Sequence, residues 1–226
     1  LTAIALVFPP QEGLSDWRVI WDCWIPEENM ADRIRADHVP YDKWAADGWV
    51  YPTAGNVVDY TRIKERILEC SKLYNIVEVD ADKSFASMLI QELEQEQILC
   101  VDVAQTYQVL TDPMNNIEIL LRGQKASEEQ VDAVQEGDAV VERLPDNLSS
   151  SLTHEANPVA RWCFGNTSIA KNGNAQIKFV KERRGKHLDR SKRIDLTAAW
   201  VFAMSRAKYY GSSKSVYEKR GIRTVG

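Results

Sequence analysis

The feature that most restricts the fold is a strand, helix and strand pattern between residues 75 and 105. The stretch NIVEVDAD (75–82) is strand-like, SFASMLIQELEQEQ (84–97) is an amphipathic helix, and ILCVDVAQ (98–105) is a second apolar strand. Two strands joined by a helix pair in parallel through a right-handed crossover. The pattern therefore predicts an α/β fold with a parallel core.

The flanking segments add antiparallel strands and further helices. TAIALVF (2–8) and WRVIWDCWI (17–25) are apolar runs separated by a turn, which predicts two antiparallel strands. Asp59 occupies an N-cap position ahead of the helical TRIKERILECSKLY (61–74), and a last helix is predicted over about 191–210. Together, the predicted strands and helices indicate a mixed sheet, with an antiparallel edge and a parallel core, flanked by helices.

The chain is expected to form one domain over residues 1–210, followed by a basic tail over 211–226. Its 226 residues are 44% hydrophobic, enough for a full core. Residues 124–152 are acidic and without steady periodicity, which predicts an insertion or mobile excursion. No apolar run reaches the roughly 20 residues of a membrane span, and no signal-peptide pattern opens the sequence, so we expect an intracellular protein without membrane contact.

Charge is divided unevenly along the chain. The net charge is −5, but residues 1–160 hold 12 Lys/Arg against 29 Asp/Glu, whereas residues 161–226 hold 16 against 4. A basic C-terminal third on an acidic body is typical of a protein with one phosphate-binding face. A solvated basic helix and tail would give the same pattern, so charge alone leaves both alternatives open.

Carboxylates at the end of the first parallel strand are the first candidates for chemistry. Reacting groups gather at the carboxyl ends of parallel strands, where NIVEVDAD places Asp80 and Asp82. Strand alternation puts Glu78, Asp80 and Asp82 on one face. Asp82 also stands where it can cap the next helix, so a capping role remains an alternative to a site role.

A second acid, Asp195, opens the apolar helix in KRIDLTAAW. The helix dipole alone favours an acid there, yet its apolar neighbours imply that the side chain points into a cleft or meets a cation. Two carboxylates brought together by the fold would repel each other unless a divalent cation joined them. Such a pair suits Mg²⁺ or Mn²⁺ and phosphodiester hydrolysis with two ions.

Other motifs narrow the chemistry. His154 in THEANPVARW is either a DNA or water contact near the metals or a backbone partner. Neither the histidines nor the cysteines show zinc-ligand spacing, and we expect Cys23, Cys70, Cys100 and Cys163 to be free thiols. GxxxxGK[ST], GxGxxG and GxSxG are all absent, so ATP hydrolysis through a P-loop is not expected.

Six blocks, taken in order, resemble the large terminase subunit of tailed bacteriophages, the DNA-packaging motor. They are VPYDKWAADGWVYPTAGNVVDYTRI (39–63), VDADKSFASMLIQELEQE (79–96), VDVAQTY (101–107), HEANPVARW (154–162), KRIDLTAAWVFAMSRA (192–207) and SVYEKRG (215–221). Members of that family have a packaging ATPase followed by a nuclease of RNase H-like fold. The resemblance covers only the C-terminal nuclease part.

The resemblance also implies a site. Of the family's three acids, the middle one maps onto Asp82 and the third onto Asp195, while the first would lie upstream of Leu1. Asp82 and Asp195 are thus implied to bind two Mg²⁺ or Mn²⁺ ions, with His154 as an auxiliary catalytic group. Without the first acid, we expect the chain as printed to be a weak nuclease.

The implied function is endonucleolytic cleavage of concatemeric double-stranded DNA during genome packaging. The basic residues that flank Asp195 in sequence are the candidates for holding DNA phosphates: Lys178, Lys181, Arg183, Arg184, Lys186, Lys192 and Arg193. Implied partners are the portal protein, the small terminase subunit and the ATPase domain, in the cytoplasm of an infected bacterium, with the isolated domain a monomer.

Two other functions remain open. One is a DNA-gripping or portal- and ATPase-docking module with impaired nuclease activity. The other is a different RNase H-like enzyme, such as a recombination nuclease or transposase, which the six blocks disfavour.

Overall fold

A computed structural model describes residues 1–122, 151–181, 183–184, 187–188 and 191–210. The strands in these ranges are β1 (Thr2–Phe8), β2 (Trp17–Pro26), β3 (Tyr51–Thr53), β4 (Val79–Ala81), β5 (Cys100–Asp102), β6 (Leu152–His154), β7 (Thr167–Lys171), β8 (Ile177–Lys181), β9 (Arg183–Arg184) and β10 (His187–Leu188). The helices are α1 (Met30–Asp37), α2 (Tyr41–Ala46), α3 (Tyr60–Leu73), α4 (Lys83–Gln95), α5 (Tyr107–Arg122), α6 (Pro158–Gly165) and α7 (Asp195–Ala207).

The larger sheet is built around β2. On one edge, β2 pairs antiparallel with all seven residues of β1, as the sequence predicts. On the other edge it pairs in parallel with β3 near its C-terminal end and with β6 near its N-terminal end. Parallel and antiparallel pairs therefore share one sheet, which confirms the mixed α/β architecture.

The predicted strand, helix and strand unit is present. β4 and β5 pair in parallel, and α4 connects them. Leu89 and Leu93 of α4 pack against Ile63 and Ile67 of α3 in a small apolar cluster. At the start of α3 the carboxylate of Asp59 accepts a hydrogen bond from the Thr61 amide, so its predicted capping role is confirmed.

Aromatic side chains fill the main core. Trp17 of β2 and Trp200 of α7 are fully enclosed, and the rings of Trp21 and Trp200 meet edge to face at 5.6 Å. α7 lies across β1 and packs on α5, which joins the helical layer to the sheet. Within the described ranges, no helix is long and apolar enough to cross a membrane.

Several sequence predictions need qualification. The predicted insertion at 124–152 lies outside the described residues except for Ser151 and Leu152, and Leu152 is the first residue of β6. The predicted tail at 211–226 also lies outside them. The last helix is shorter than predicted and begins at Asp195. All four cysteines are free thiols, as expected, although Cys100 is only half-buried.

Candidate active site

The outer edges of β1 and β4 open onto one cleft of about 590 Å³, here called the β1–β4 cleft. Its walls are β1 with Leu1, the segment from Asn75 to Asp82, and parts of α3 and α7. Asp80, Asp82 and Asp195 all line it. The fold therefore brings to one cavity the two acids on which the sequence analysis depends.

Asp82 is held in place from two sides. One carboxylate oxygen accepts a hydrogen bond of 2.9 Å from the Ser84 amide and caps α4. The other accepts a hydrogen bond of 2.7 Å from the side-chain amide of Gln105, which follows β5. The capping and site roles weighed from the sequence are compatible, because a capping carboxylate retains lone pairs that face the cleft.

Asp195 is the first residue of α7, where the helix dipole favours a carboxylate. Its Oδ2 atom is buried and has no hydrogen-bond partner among the described residues. A buried carboxylate oxygen without a partner is costly, so a cation bound here would remove that cost.

Asp80, in the middle of β4, has a buried carboxylate next to a second acid. Its Oδ1 atom is also buried without a partner in the described part of the chain. Burial, and then the neighbouring Glu78 carboxylate, raise the pKa of Asp80 to about 7. Glu78 itself accepts hydrogen bonds from Arg206 at 2.7 and 3.1 Å, which hold the pKa of Glu78 below its usual range. Arg206 thus ties β4 to α7.

A buried ion pair supports the entry into α7. The Arg193 Nε atom lies 3.1 Å from Asp37 Oδ2, and the side chains are 14% and 1% exposed. The Tyr41 hydroxyl donates a 2.8 Å hydrogen bond to the same oxygen. Burial raises the pKa of Asp37, although the hydrogen bond from Tyr41 opposes this rise.

The acids supply oxygen atoms, the donor type that Mg²⁺ and Mn²⁺ prefer. Within the described ranges, however, no three His, Cys, Asp or Glu side chains converge closely enough to hold a metal ion. Asp82 and Asp195 are therefore a chemically suitable but partial set of ligands.

Comparisons with known proteins identify the family. A family model described as "Terminase large subunit, endonuclease domain" matches residues 1–148, about two thirds of the chain. The chain belongs to this family.

Individual relatives agree with the match. The chain is 26% identical over 214 residues to Protein YmfN of Escherichia coli (strain K12), an alignment that covers 89% of this chain and 39% of that protein. It is 21% identical over 191 residues to the large terminase subunit of Enterobacteria phage HK97, covering 84% and 32%. The chain thus spans less than two fifths of the length of these relatives.

A solved structure confirms the fold. The crystal structure of the HK97 bacteriophage large terminase superposes with a TM-score of 0.64 at 19% identity, covering 90% of this chain and 36% of that one. The nuclease domain of that terminase is RNase H-like, which agrees with the predicted fold class.

In this terminase nuclease domain, His154 lies apart from the acids. It is exposed on β6, its Nδ1 atom is 2.8 Å from the Glu155 carbonyl oxygen, and its ring contacts Trp21. It is not among the residues that line the β1–β4 cleft. Of the two alternatives from the sequence, the structure shows the backbone contact.

Three of the predicted phosphate-binding residues, Lys178, Lys181 and Arg193, do not share one surface. Arg193 points inward to Asp37. The Lys178 ammonium lies over the Tyr107 ring at 4.8 Å, and strand alternation puts Lys178 and Lys181 on opposite faces of β8. Arg183 and Arg184 form β9, which pairs with β10. Lys186 lies outside the described residues.

Sequence reasoning missed three features of the site. They are the contact of Gln105 with Asp82, the Arg206 bonds to Glu78, and the pairing of Arg193 with Asp37. The first had a signal, because Gln105 closes the second parallel strand and so had to lie near the end of the first. The other two join segments more than 100 residues apart, and no local pattern indicates them.

Proposed function

We propose that this terminase nuclease domain is a metal-dependent endonuclease that cleaves concatemeric double-stranded DNA by a two-metal mechanism. The observation that carries the proposal is that Asp82 and Asp195 line one cleft, where Asp195 has a buried oxygen without a partner among the described residues. Family membership supports nuclease chemistry in general. The metal, the DNA substrate and the roles of individual residues are part of the proposal.

The chain's own residues position the reacting groups. Ser84 and Gln105 fix the Asp82 carboxylate, and the first turn of α7 fixes Asp195. These carboxylates would hold two Mg²⁺ or Mn²⁺ ions, which supply activation of water and stabilisation of the leaving oxygen. Lys181, Lys186, Lys192 and the arginines of β9 are the remaining candidates to contact phosphates, and His154 stays an auxiliary candidate.

A plasmid-cleavage assay tests the proposal. Supercoiled DNA is incubated with the protein in Mn²⁺, Mg²⁺ or EDTA, both for the chain as printed and for a longer form that includes residues ahead of Leu1. We expect metal-dependent nicking that falls by at least roughly 100-fold in Asp82→Asn and Asp195→Asn. Asp42→Asn is the matched control, because Asp42 is an exposed acid in the first turn of α2.

The assay also separates the proposal from the binding-module alternative. If neither form cuts DNA faster than its Asp82→Asn and Asp195→Asn variants, the nuclease proposal is wrong. A module that only grips DNA would retain salt-sensitive DNA binding in both variants. In the complete motor we propose the portal protein, the small terminase subunit and the ATPase domain as partners in the host cytoplasm, with the isolated domain a monomer.

A further inference from the structure

The two acids of the proposed site are held in different ways. The Asp82 carboxylate accepts hydrogen bonds directly, from the Ser84 amide and from the Gln105 side chain. The buried Oδ2 atom of Asp195 has no hydrogen-bond partner among the described residues. The position of this oxygen therefore depends on how the start of α7 is held.

The C-terminal turn of α6 contacts the segment that leads into α7. Asn166 follows α6 directly and is 4% exposed, and its side-chain amide donates a 3.2 Å hydrogen bond to the Arg193 carbonyl. The Arg193 side chain pairs with Asp37, the last residue of α1. The residue two positions before Asp195 is thus held through its main chain by Asn166 and through its side chain by Asp37.

The same turn also meets the first turn of α7. The hydroxyl oxygens of Thr167 and Thr197 lie 3.0 Å apart, and Thr167 donates its own proton to the Cys163 carbonyl at 2.8 Å. Thr197 is therefore the donor between the two hydroxyls. Burial raises the pKa of the Cys163 thiol to about 12, whereas the Leu196 amide beside the thiol opposes this rise. Residues 163–167 thus contact the chain both before and after Asp195.

Small displacements of Asp195 would matter, because the two ions of a two-metal site lie only about 3.5 to 4 Å apart. Residues that orient a metal ligand from behind contribute to metal affinity, and losing one typically costs about 10- to 100-fold. Asn166 is buried, so water does not readily replace its hydrogen bond to the Arg193 carbonyl. The contacts from α6 are therefore suited to fix the position of Asp195.

We propose that Asn166 and Thr167 are positioning residues, which hold the entry to α7 so that Asp195 can bind a divalent cation. Neither is among the described residues that line the β1–β4 cleft, so their role is to place Asp195 rather than to contact the metal. The inference rests on the proposed role of Asp195 as a metal ligand. It adds that the C-terminal turn of α6 sets the metal affinity of that ligand.

A Mn²⁺ titration of the whole 226-residue chain tests the proposal. Bound Mn²⁺ broadens the NMR signals of nearby amides, so the signals of Leu196 and Thr197, in the first turn of α7, report the Kd of an ion at Asp195. Asn166→Leu nearly keeps the side-chain shape but removes the donor, and we expect it to raise that Kd by about tenfold. Because the measured quantity is a ratio between variants, it does not depend on which other ligands complete the site.

Asn157→Leu is the matched control. Asn157 is 3% exposed, and its side chain accepts hydrogen bonds from the Val159 and Ala160 amides at the opposite end of α6. The same substitution there loses buried hydrogen bonds that do not involve α7. We expect both variants to have a lower free energy of unfolding in urea, and Asn157→Leu to retain the wild-type Kd for Mn²⁺.

A second pair of variants addresses the neighbouring hydroxyl. Thr167→Val keeps the side-chain shape but loses the contact with Thr197, so we expect it to raise the Kd for Mn²⁺ as well. Thr167→Ser keeps the hydroxyl and should retain the wild-type Kd. This pair decides the question if Asn166→Leu does not fold.

Three results would overturn the proposal. An unchanged Kd in Asn166→Leu and Thr167→Val, together with loss of broadening in Asp195→Asn, would leave the metal site intact and remove the positioning role. An equal rise of the Kd in Asn157→Leu would mean that general loosening of the fold weakens metal binding. Broadening that is absent from the wild-type chain, or that survives in Asp195→Asn, would mean that Asp195 does not bind the ion, and the proposed metal site would then be wrong as well.

Discussion

Replacing Arg193 with methionine tests the buried ion pair at the entry to α7. The change keeps most of the side-chain volume but leaves the Asp37 carboxylate, 1% exposed, without its cation. Removing one partner of a buried pair typically costs about 3 to 5 kcal/mol. We expect about 3 kcal/mol, the lower end, because the Tyr41 hydroxyl still donates to Asp37.

The pH dependence of the variant has a definite sign. Burial already raises the pKa of Asp37, and loss of the cation raises that pKa further. Between the unfolded and the folded pKa, the folded Arg193→Met protein binds more protons than the unfolded chain. Its free energy of unfolding should therefore rise as pH falls from 7 towards the ordinary carboxyl pKa of about 4.

Urea unfolding followed by tryptophan fluorescence measures both effects. The control is the double variant Asp37→Asn/Arg193→Met, in which no charge is left unpaired and the introduced amide oxygen can still accept from the Tyr41 hydroxyl. We expect it to lose only about 1 kcal/mol. Two results would show that the ion pair does not stabilise the fold as argued. One is a loss of less than about 1 kcal/mol in Arg193→Met. The other is a loss in the double variant that equals the sum of the losses in Asp37→Asn and Arg193→Met.

Two further predictions concern a helix cap and a titrating acid. Asn157, 3% exposed, accepts hydrogen bonds from the Val159 and Ala160 amides. In urea unfolding, Asn157→Ala should therefore lower the free energy of unfolding by about 2 kcal/mol, whereas Asp59→Ala, at an exposed cap, should lower it by about 0.5 to 1 kcal/mol. Equal costs would contradict the argument that burial strengthens the Asn157 cap. Because burial and a neighbouring carboxylate raise the pKa of Asp80 to about 7, the contribution of Asp80 to the free energy of unfolding should fall as pH rises from about 4 to 7. In EDTA, Asp80→Asn should remove about 2 kcal/mol of this pH dependence, a value reduced for solvent screening. An unchanged slope of the free energy of unfolding against pH in Asp80→Asn would contradict the prediction.

Sequence patterns predicted the elements whose signal is local. β1, β2, α3 and the β4–α4–β5 unit all show clear periodicity, and the structure confirms them. α5 had no clear signal, because Pro113 lies inside it and two asparagines follow. Long-range packing of its apolar face, rather than helix propensity, stabilises α5. β6 has three residues and is defined only by its pairing with β2.

The site residues likewise differ in whether a local sequence pattern could predict them. Asp82 and Asp195 could be selected from sequence, because the end of a strand and the start of a helix are local positions. The basic run was interpreted as a set of phosphate contacts, yet one member, Arg193, pairs with the buried Asp37, which is 156 residues away in sequence. A pattern along the chain cannot show which charges meet a buried partner.

One edge of β2 pairs with both β3 and β6, and this arrangement affects how the protein folds during synthesis. The Trp17 amide donates to the Ser151 carbonyl, and Trp17 pairs with Leu152, so the N-terminal end of β2 is completed by residues more than 130 positions later. At 5 to 20 residues per second, a ribosome needs on the order of ten seconds to make that intervening stretch. Until then the early hairpin has no partner for this end of β2, and such late contacts slow folding. Until residues 151–154 are made, that edge of β2 therefore stays open to other strands.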